Sequence, residues 1–364
     1  MTQAAITGWG KCVPQNILTN DDLSTFLDTN DEWIRTRTGM VERRVSHVPL
    51  SELSYVAGAR ALACANLSHE DLDMIILGSC SYDSQVPNAS SNVQKLLKAK
   101  NATSMDLNTA CTSGMYAMSV ASAMIKSGTI KNALVIGAEV ISPFMDWTDR
   151  NVAILFGDGA AAFVLEKDSS SESVGIQKEA LGCISESRDI LAVNGVGLKY
   201  ANLGWPLGTT QWDFEGREIF KQAITGMQLG CEKILSDMGI DNNDVDIVIP
   251  HQANLRIIEA LAQRLKVPPE KLFINIHRYG NMSAATAPLA IVEAVEEGRV
   301  KPKDLILVPA FGAGLTWSAQ LIKWGERCTP IKNSDVELPS CSKSALEIIQ
   351  GYSKLHQKYP VKLS

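Results

Sequence analysis

No two cysteines have CxxC spacing, although eight of them (12, 64, 80, 111, 183, 231, 328 and 341) are scattered along the 364 residues. That scatter argues against a zinc site and against a disulfide framework. A lone cysteine is most often a small buried hydrophobe, so any chemical role has to be argued for one at a time. Histidine is scarce, at five, and a formal net charge of −6 excludes the basic field that bulk nucleic-acid binding needs. No apolar run approaches a membrane span. The start, Met1 to Trp9, lacks the basic opening and apolar core of a signal peptide, so the cytoplasm is the expected location. What is present, 45% hydrophobic and 20% charged residues, describes an ordinary globular chain long enough for two domains or one duplicated one.

One cysteine stands apart. In Asp106-Leu-Asn-Thr-Ala-Cys111-Thr-Ser-Gly-Met-Tyr116 it follows a short β-like run and precedes a helix of small and apolar residues. Such a junction places sulfur among unpaired amide N–H groups at the positive end of a helix, which is expected to favour a thiolate. Around it, residues 3–9 read as a strand, 20–33 as a capped helix and 51–65 as a helix with Ser51 as its cap. Residues 71–77 read as a buried strand, 90–99 as a helix, the Cys111 helix runs to about Ser127, and 132–138 and 157–166 are further strands.

The second half repeats this order. Asp244-Val-Asp-Ile-Val-Ile249 echoes Asp71 to Ile76, Glu296 to Val308 echoes Ile125 to Ile136, and Gly312 to Leu321 echoes the strand after Gly157. Three matches in one order mark a duplication, with α/β halves at roughly 1–170 and 171–325. Cys111 lies seventeen residues before Gly128, and Asn281 lies seventeen before the matching Gly298. Asn281 therefore holds the duplicate's version of the nucleophile position. His251 directly follows the strand at 244–250, at the end where loops carry function. Taken alone, His251 reads equally well as a satisfied structural histidine, and Asn281 as a plain helix cap.

Taken together, the motifs resemble the β-ketoacyl-acyl-carrier-protein synthase III family of condensing enzymes, within the thiolase-like superfamily. The similarity runs from about residue 3 to 325. It includes Asp31-Glu-Trp-Ile-Arg-Thr-Arg-Thr-Gly39, Ala110-Cys111, Thr148-Asp-Arg150, Phe156-Gly-Asp-Gly159, His251-Gln-Ala-Asn254, Gly280-Asn281 and Phe311-Gly-Ala-Gly-Leu-Thr-Trp317. The resemblance implies a duplicated five-layer αβαβα fold, a homodimer, and a Cys111, His251 and Asn281 triad acting on acyl-CoA and then malonyl-acyl carrier protein. It implies no cofactor and no metal, acyl-CoA being a substrate. It maps an oxyanion site to the main-chain N–H of Cys111 and Ala313, with Phe311 as a shield. It maps CoA binding to Trp33, Arg37, Arg150 and Asn254, and carrier-protein docking to Lys221 and Arg256, with Arg217, Arg264 and Lys266 as helpers.

Two stretches depart from the family pattern. Thr112-Ser-Gly114-Met follows the cysteine where many members carry a phenylalanine, and Val86-Pro87 stands where acetyl-selective members place Phe-Pro. Losing both aromatics is expected to enlarge the acyl pocket at Val86 and Gly114 and to admit primers longer than acetyl. The Ser-Gly-Met run is thiolase-like, but a thiolase needs a second catalytic cysteine where this chain has Phe311-Gly-Ala-Gly. Beyond Trp324, residues 326–364 form an extension. Ser344-Ala-Leu-Glu347 has capping-box spacing, and Leu346, Ile348, Ile349, Tyr352 and Leu355 give a short helix one apolar side, expected to dock on the body or a dimer partner. The rival readings are a specialised-metabolite or non-decarboxylative acyl-CoA condensing enzyme of the same fold, and a catalytically silent acyl-CoA-binding scaffold.

Overall fold

The computed structural model describes residues 3–168, 173–197 and 210–358. Nine strands build its two main sheets: β1 (Gln3–Cys12), β2 (Met74–Gly78), β3 (Thr103–Leu107), β4 (Asn132–Glu139), β5 (Gly159–Asp168), β6 (Gly175–Cys183), β7 (Ile247–Val248), β8 (Leu305–Gly312) and β9 (Thr316–Lys323). The first sheet has the order β1-β5-β4-β2-β3 and the second β6-β9-β8-β7. From the β1 and β6 edges inward, both run antiparallel, antiparallel, then parallel. The place of β3 in the second sheet is taken by a single parallel bridge between Val248 and Leu272.

Helices fill three layers. Between the sheets lie α3 (Ser113–Lys126) and α6 (Thr286–Glu296), whose Met115, Met118, Ile125, Leu289 and Ile291 share one core with Ile76, Val135, Ile306 and Ile322. A helix covered on both sides cannot be amphipathic, and every residue of α6 from Thr286 to Val295 is buried. Outside the first sheet pack α1 (Leu50–Ala65) and α2 (Ala89–Leu97), and outside the second α4 (Gly216–Met238) and α5 (Leu255–Arg264). The stack is therefore helix, sheet, helix, sheet, helix, the five-layer thiolase-like arrangement.

Local readings differ in four places. The stretch 20–33 forms two helices, Asn20–Ser24 and Asp31–Thr38, the second capped afresh by Asn30 accepting the Trp33 N–H. The 51–65 helix starts one residue earlier, with Pro49 rather than Ser51 at the cap. The 244–249 strand pairs only through Ile247 and Val248. Cys111 lies in a 3₁₀ turn, Ala110–Thr112, one step before α3 begins.

The extension folds back over the first half. The Ile331 N–H donates to the Cys64 carbonyl at 3.0 Å, Arg60 pairs with Glu337 at 2.6 Å, and the Pro339 carbonyl meets His47 Nε2 at 2.7 Å. Ser344 and Glu347 close the capping box of α7 (Ala345–Lys358), whose Ala345 and Ile349 are buried beside Ile141, Trp147, Ile154 and Phe156. The side chain of Leu355 falls outside the described residues.

Candidate active site

Cys111, His251 and Asn281 line one cavity of about 930 Å³. Each arrives on a tightly held segment. Ala110, immediately before Cys111, takes the left-handed φ of 50°, and Gly280, immediately before Asn281, takes 64°. The end of β8 closes against the cysteine: a Cβ at Gly312 would stand 2.8 Å from the Cys111 nitrogen, so only glycine lets the strand approach. His251 is fixed by its N–H donating to the Pro309 carbonyl at 2.8 Å. In the same loop, Gln252 ties residue 250 to 275 by donating to the Pro250 carbonyl and accepting from the Asn275 N–H.

The donors have defined directions. Asn281 Oδ1 accepts from the Ser283 N–H at 2.8 Å and the Thr286 hydroxyl at 3.2 Å, which leaves Nδ2 as the end offered to the cavity. The His251 Nδ1 is buried with no hydrogen-bond partner among the described residues, so Nε2 is the edge available for chemistry. Burial lowers its pKa to about 4, so the ring is neutral at physiological pH. Burial likewise pushes the Cys111 thiol up to about 11. The Ser283 hydroxyl and the main-chain N–H groups of Ala313 and Cys111 hydrogen-bond the sulfur and pull the other way, while Glu139 adds to the rise. Desolvation thus runs against the thiolate expected from the helix end and is larger than the pull of these donors.

The rim holds the remaining residues. Trp33 and Arg37 line it, and the guanidinium groups of Arg37 and Arg150 lie 4.5 Å and 4.9 Å from the Trp33 ring centroid. Arg150 also pairs with Asp28 at 3.1 Å. Asn254 lines the cavity while its side chain caps α5 by accepting the Arg256 N–H. Lys221 and Arg256 stand at the same mouth, the first paired with Glu218 at 3.2 Å and the second donating to the Thr36 carbonyl at 2.9 Å. Phe311 and Ala313 complete the wall beside Cys111.

Neither of the two acyl-pocket residues is brought in. Val86 is 83% exposed and does not line the cavity of its own chain. Gly114 is buried in the central layer, where a Cβ would meet the Ala284 carbonyl oxygen at 2.5 Å and Pro288 at 2.8 Å. The room an aromatic would need there is filled by backbone, so its loss opens no space. Conversely, sequence reasoning passed over Cys80, Ile141, Phe156, Trp212 and Ser283, all of which line the cavity. For Ser283 a signal was available: it stands two residues after Asn281, as Ser113 stands two after Cys111.

Comparison with known proteins gives this geometry a family. The model of the 3-oxoacyl-acyl-carrier-protein synthase III family matches residues 105–184, and that of its C-terminal region matches 235–324. The beta-ketoacyl-acyl-carrier-protein synthase III 2 of Vibrio cholerae serotype O1 is 49% identical over 362 residues, 98% of this chain and 99% of that protein. This chain belongs to the synthase III family. The synthase III of Aquifex aeolicus is 43% identical and is covered over 99% of its own length, but it spans only 88% of this chain. Its crystal structure superposes with a TM-score of 0.82, covering 88% of this chain and 100% of that one. The synthase III from Pseudomonas aeruginosa, 31% identical over 89% of this chain and 99% of its own, gives 0.83. Those coverages leave room for a family member with and without a C-terminal extension. As members of this family do, the chain acts as a condensing acyltransferase of fatty acid synthesis.

Proposed function

We propose that Cys111, His251 and Asn281 carry a two-stage decarboxylative condensation of an acyl-CoA primer with malonyl-acyl carrier protein. The observation that supports it is their convergence on one cavity whose mouth carries Trp33, Arg37, Lys221 and Arg256. In the first stage the Cys111 sulfur attacks the thioester carbonyl of acyl-CoA. The C–S bond to CoA breaks, and CoA leaves as the thiol with the proton that Cys111 gave up. The N–H groups of Cys111 and Ala313 hold the oxyanion of that step. In the second stage malonyl-carrier protein loses CO₂, and the resulting enolate oxygen is held by Nε2–H of neutral His251 and Nδ2–H of Asn281. The carbanion attacks the acyl group, expelling the Cys111 thiolate, which takes up one proton. The products are 3-oxoacyl-carrier protein, CO₂ and CoA. Acyl-CoA enters as substrate and no cofactor or metal enters the balance.

A histidine already protonated would be a poor match for a site that takes in an anionic malonyl group and releases neutral CO₂, since it would hold the carboxylate back. The neutral ring avoids that. Phe311, 4% exposed, shields the end where CO₂ forms. Trp33 and Arg150 grip the adenine, Arg37 meets phosphate, and Asn254 holds the pantetheine arm. The acidic carrier protein is steered by Lys221 and Arg256, with Arg217 beside them. The resemblance alone supports a homodimer and a cytoplasmic location. Primer length is set by the groups lining the cavity near the sulfur, Cys80, Ile141 and Phe156, because Val86 and Gly114 do not border it.

Intact-mass analysis after incubation with acyl-CoA is expected to show one acyl adduct, on Cys111; its absence would favour the silent scaffold. Carbon dioxide release from malonyl-carrier protein but not malonyl-CoA is then expected, and the reverse would favour a condensing enzyme with another acceptor. Turnover of acetyl-, butyryl- and octanoyl-CoA in the same assay ranks the primers.

A further inference from the structure

From Thr286 to Val295 helix α6 is buried throughout, and Glu293 is the one ionisable residue in that run. A carboxylate placed there loses its water and is tolerated only where donors replace it. Its Oε1 accepts from Lys11 Nζ at 2.8 Å and from the Tyr279 hydroxyl at 2.5 Å. Its Oε2 accepts from Asn275 Nδ2 at 3.0 Å and from Arg278 Nη1 at 3.3 Å. These donors fill the positions a carboxylate offers. Burial by itself would push the Glu293 carboxyl up, but Lys11, Tyr279 and Asn275 outweigh it, so the group is ionised. Lys11 and Arg278 are held from the outer side as well, by Glu296 and Glu297.

Asn275, Arg278 and Tyr279 all belong to the short segment that leads through Gly280 into Asn281. Asn281 itself is pinned through its main chain, its N–H donating to the Leu155 carbonyl at 2.9 Å and its carbonyl accepting the Gly157 N–H at 3.0 Å. Asn275 also reaches the other way. Its main-chain N–H donates to Gln252 Oε1 at 3.1 Å, and Gln252 Nε2 donates to the Pro250 carbonyl at 2.7 Å, so His251 lies between two held neighbours. Glu293, Asn275 and Gln252 are each at most 2% exposed, and water does not compete for these bonds.

We propose that Glu293 is a positioning residue for both hydrogen-bond donors of the second stage, setting the 275–281 segment directly and the 250–252 turn through Asn275 and Gln252. None of Glu293, Asn275 and Gln252 lines the cavity, so the carboxylate acts through Asn281 and His251 and not on substrate. The Cys111 turn is held by other groups: the Thr112 hydroxyl donates to the Thr109 carbonyl at 2.8 Å and meets the Thr316 hydroxyl at 2.8 Å. Loss of the carboxylate should therefore spare the first stage.

The inference rests on the two-stage reading, and its test keeps the two apart. Acyl-enzyme formation is timed by intact mass after mixing with acyl-CoA, and CO₂ release is timed from the preformed acyl-enzyme with malonyl-carrier protein. Glu293→Gln keeps the shape but turns an NH₂ towards one pair of donors. Its acylation rate is expected to stay within about twofold of the wild type. The maximal rate of CO₂ release should fall about tenfold at unchanged KM, the scale of a donor misplaced by less than an ångström. In an Asn281→Ala background the same substitution should cost less, because one of the two groups it positions is gone. A merely structural role would lower the folded fraction and scale both stages together. Equal losses in both stages, unchanged CO₂ release, or an undiminished loss in the Asn281→Ala background would each overturn the proposal. Should Glu293→Gln fail to fold, Asn275→Ala decides, since it removes the side chain that joins the carboxylate to the Gln252 turn. CO₂ release about threefold slower with normal acylation then supports the positioning role, and wild-type CO₂ release or equal slowing of both stages rejects it. A wild type that forms no adduct or releases no CO₂ sinks the functional reading itself, and the inference falls with it whatever the variants show.

Discussion

At equivalent points in the two halves stand Cys111 and Asn281, each just after a residue with positive φ and each at the head of a central helix. The scaffolds match in sheet order and strand sense, yet in the proposed mechanism one half supplies the nucleophile and the other supplies hydrogen-bond donors. The difference lies in what each helix head is asked to do. In that mechanism the Cys111 sulfur changes partners during the reaction, and the buried Glu139 opposes negative charge on it. At Asn281 the amide is locked by two hydrogen bonds to its oxygen, and only the NH₂ end is free. On that reading a duplicated fold keeps one geometry and divides the labour between a reactive group and a fixed one.

The sharpest way to break that division is to remove one side at a time. Cys111→Ala is expected to abolish both the acyl adduct and condensation. Asn281→Ala and His251→Ala are expected to retain the adduct while condensation falls about 10²- to 10³-fold, the scale of one lost oxyanion donor. Quenched-flow separation of acylation from CO₂ release checks this. Equal damage to both steps in either donor variant would erase the distinction between the halves.

A second contrast concerns charge. Because burial holds His251 near a pKa of about 4, its ring should stay neutral from pH 8 down to about pH 5. With five histidines in the chain, carbon-detected imidazole resonances can follow this directly. The His251 resonance should remain flat across that range. Titration of the His251 ring within that range would show that the donor half changes charge near neutral pH.

The extension offers a third comparison, between the duplicated body and what is added to it. Its helix α7 buries Ile349 in the same cluster as Ile141, Ile154 and Phe156, three residues of the cavity wall. Ile349→Asp should undock the helix at a cost of about 3 kcal/mol, since an apolar contact is lost and a charge is left facing it. Faster amide exchange confined to residues 345–358, with a raised KM for acyl-CoA, is the expected result. A uniform loss of protection across the whole chain would mean that the helix is integral to the body.

How far the sequence showed this in advance differs between fold and site. The duplication was visible because continuous apolar strands and small-residue helices recur in one order, and buried runs such as Leu134 to Ala138 have few alternatives to a central strand. Asn281 was visible through that register. The residues that were missed, Cys80, Ile141 and Trp212, come from separate segments joined only by packing, and nothing in their local spacing marks them. Gly114 misled for a related reason. A missing side chain reads as free space in a sequence, whereas in the structure the Ala284 backbone has moved into it. At Cys111 the junction ahead of a helix was legible, whereas the burial that pushes the thiol up was not.

The smallest expected effect tests the register itself. Helices α3 and α6 end alike. Gly128 donates to the Ile125 carbonyl and Thr129 to Met124, while Gly298 donates to Val295 and Arg299 to Ala294. This is the paired-bond glycine cap, and it requires positive φ, which is 78° at Gly128 and 68° at Gly298. A Cβ at either glycine would meet nothing within 4 Å, so substitution carries no packing penalty. Gly128→Ala and Gly298→Ala should therefore each cost only the left-handed backbone strain, about 1 kcal/mol. Urea unfolding should give values agreeing to within about 0.5 kcal/mol, and the double variant should show their sum, because sites without shared partners add. A marked inequality would mean that one half tolerates strain at its helix end better than the other. Asn281 would then owe its orientation to more than the repeat that brings it opposite Cys111.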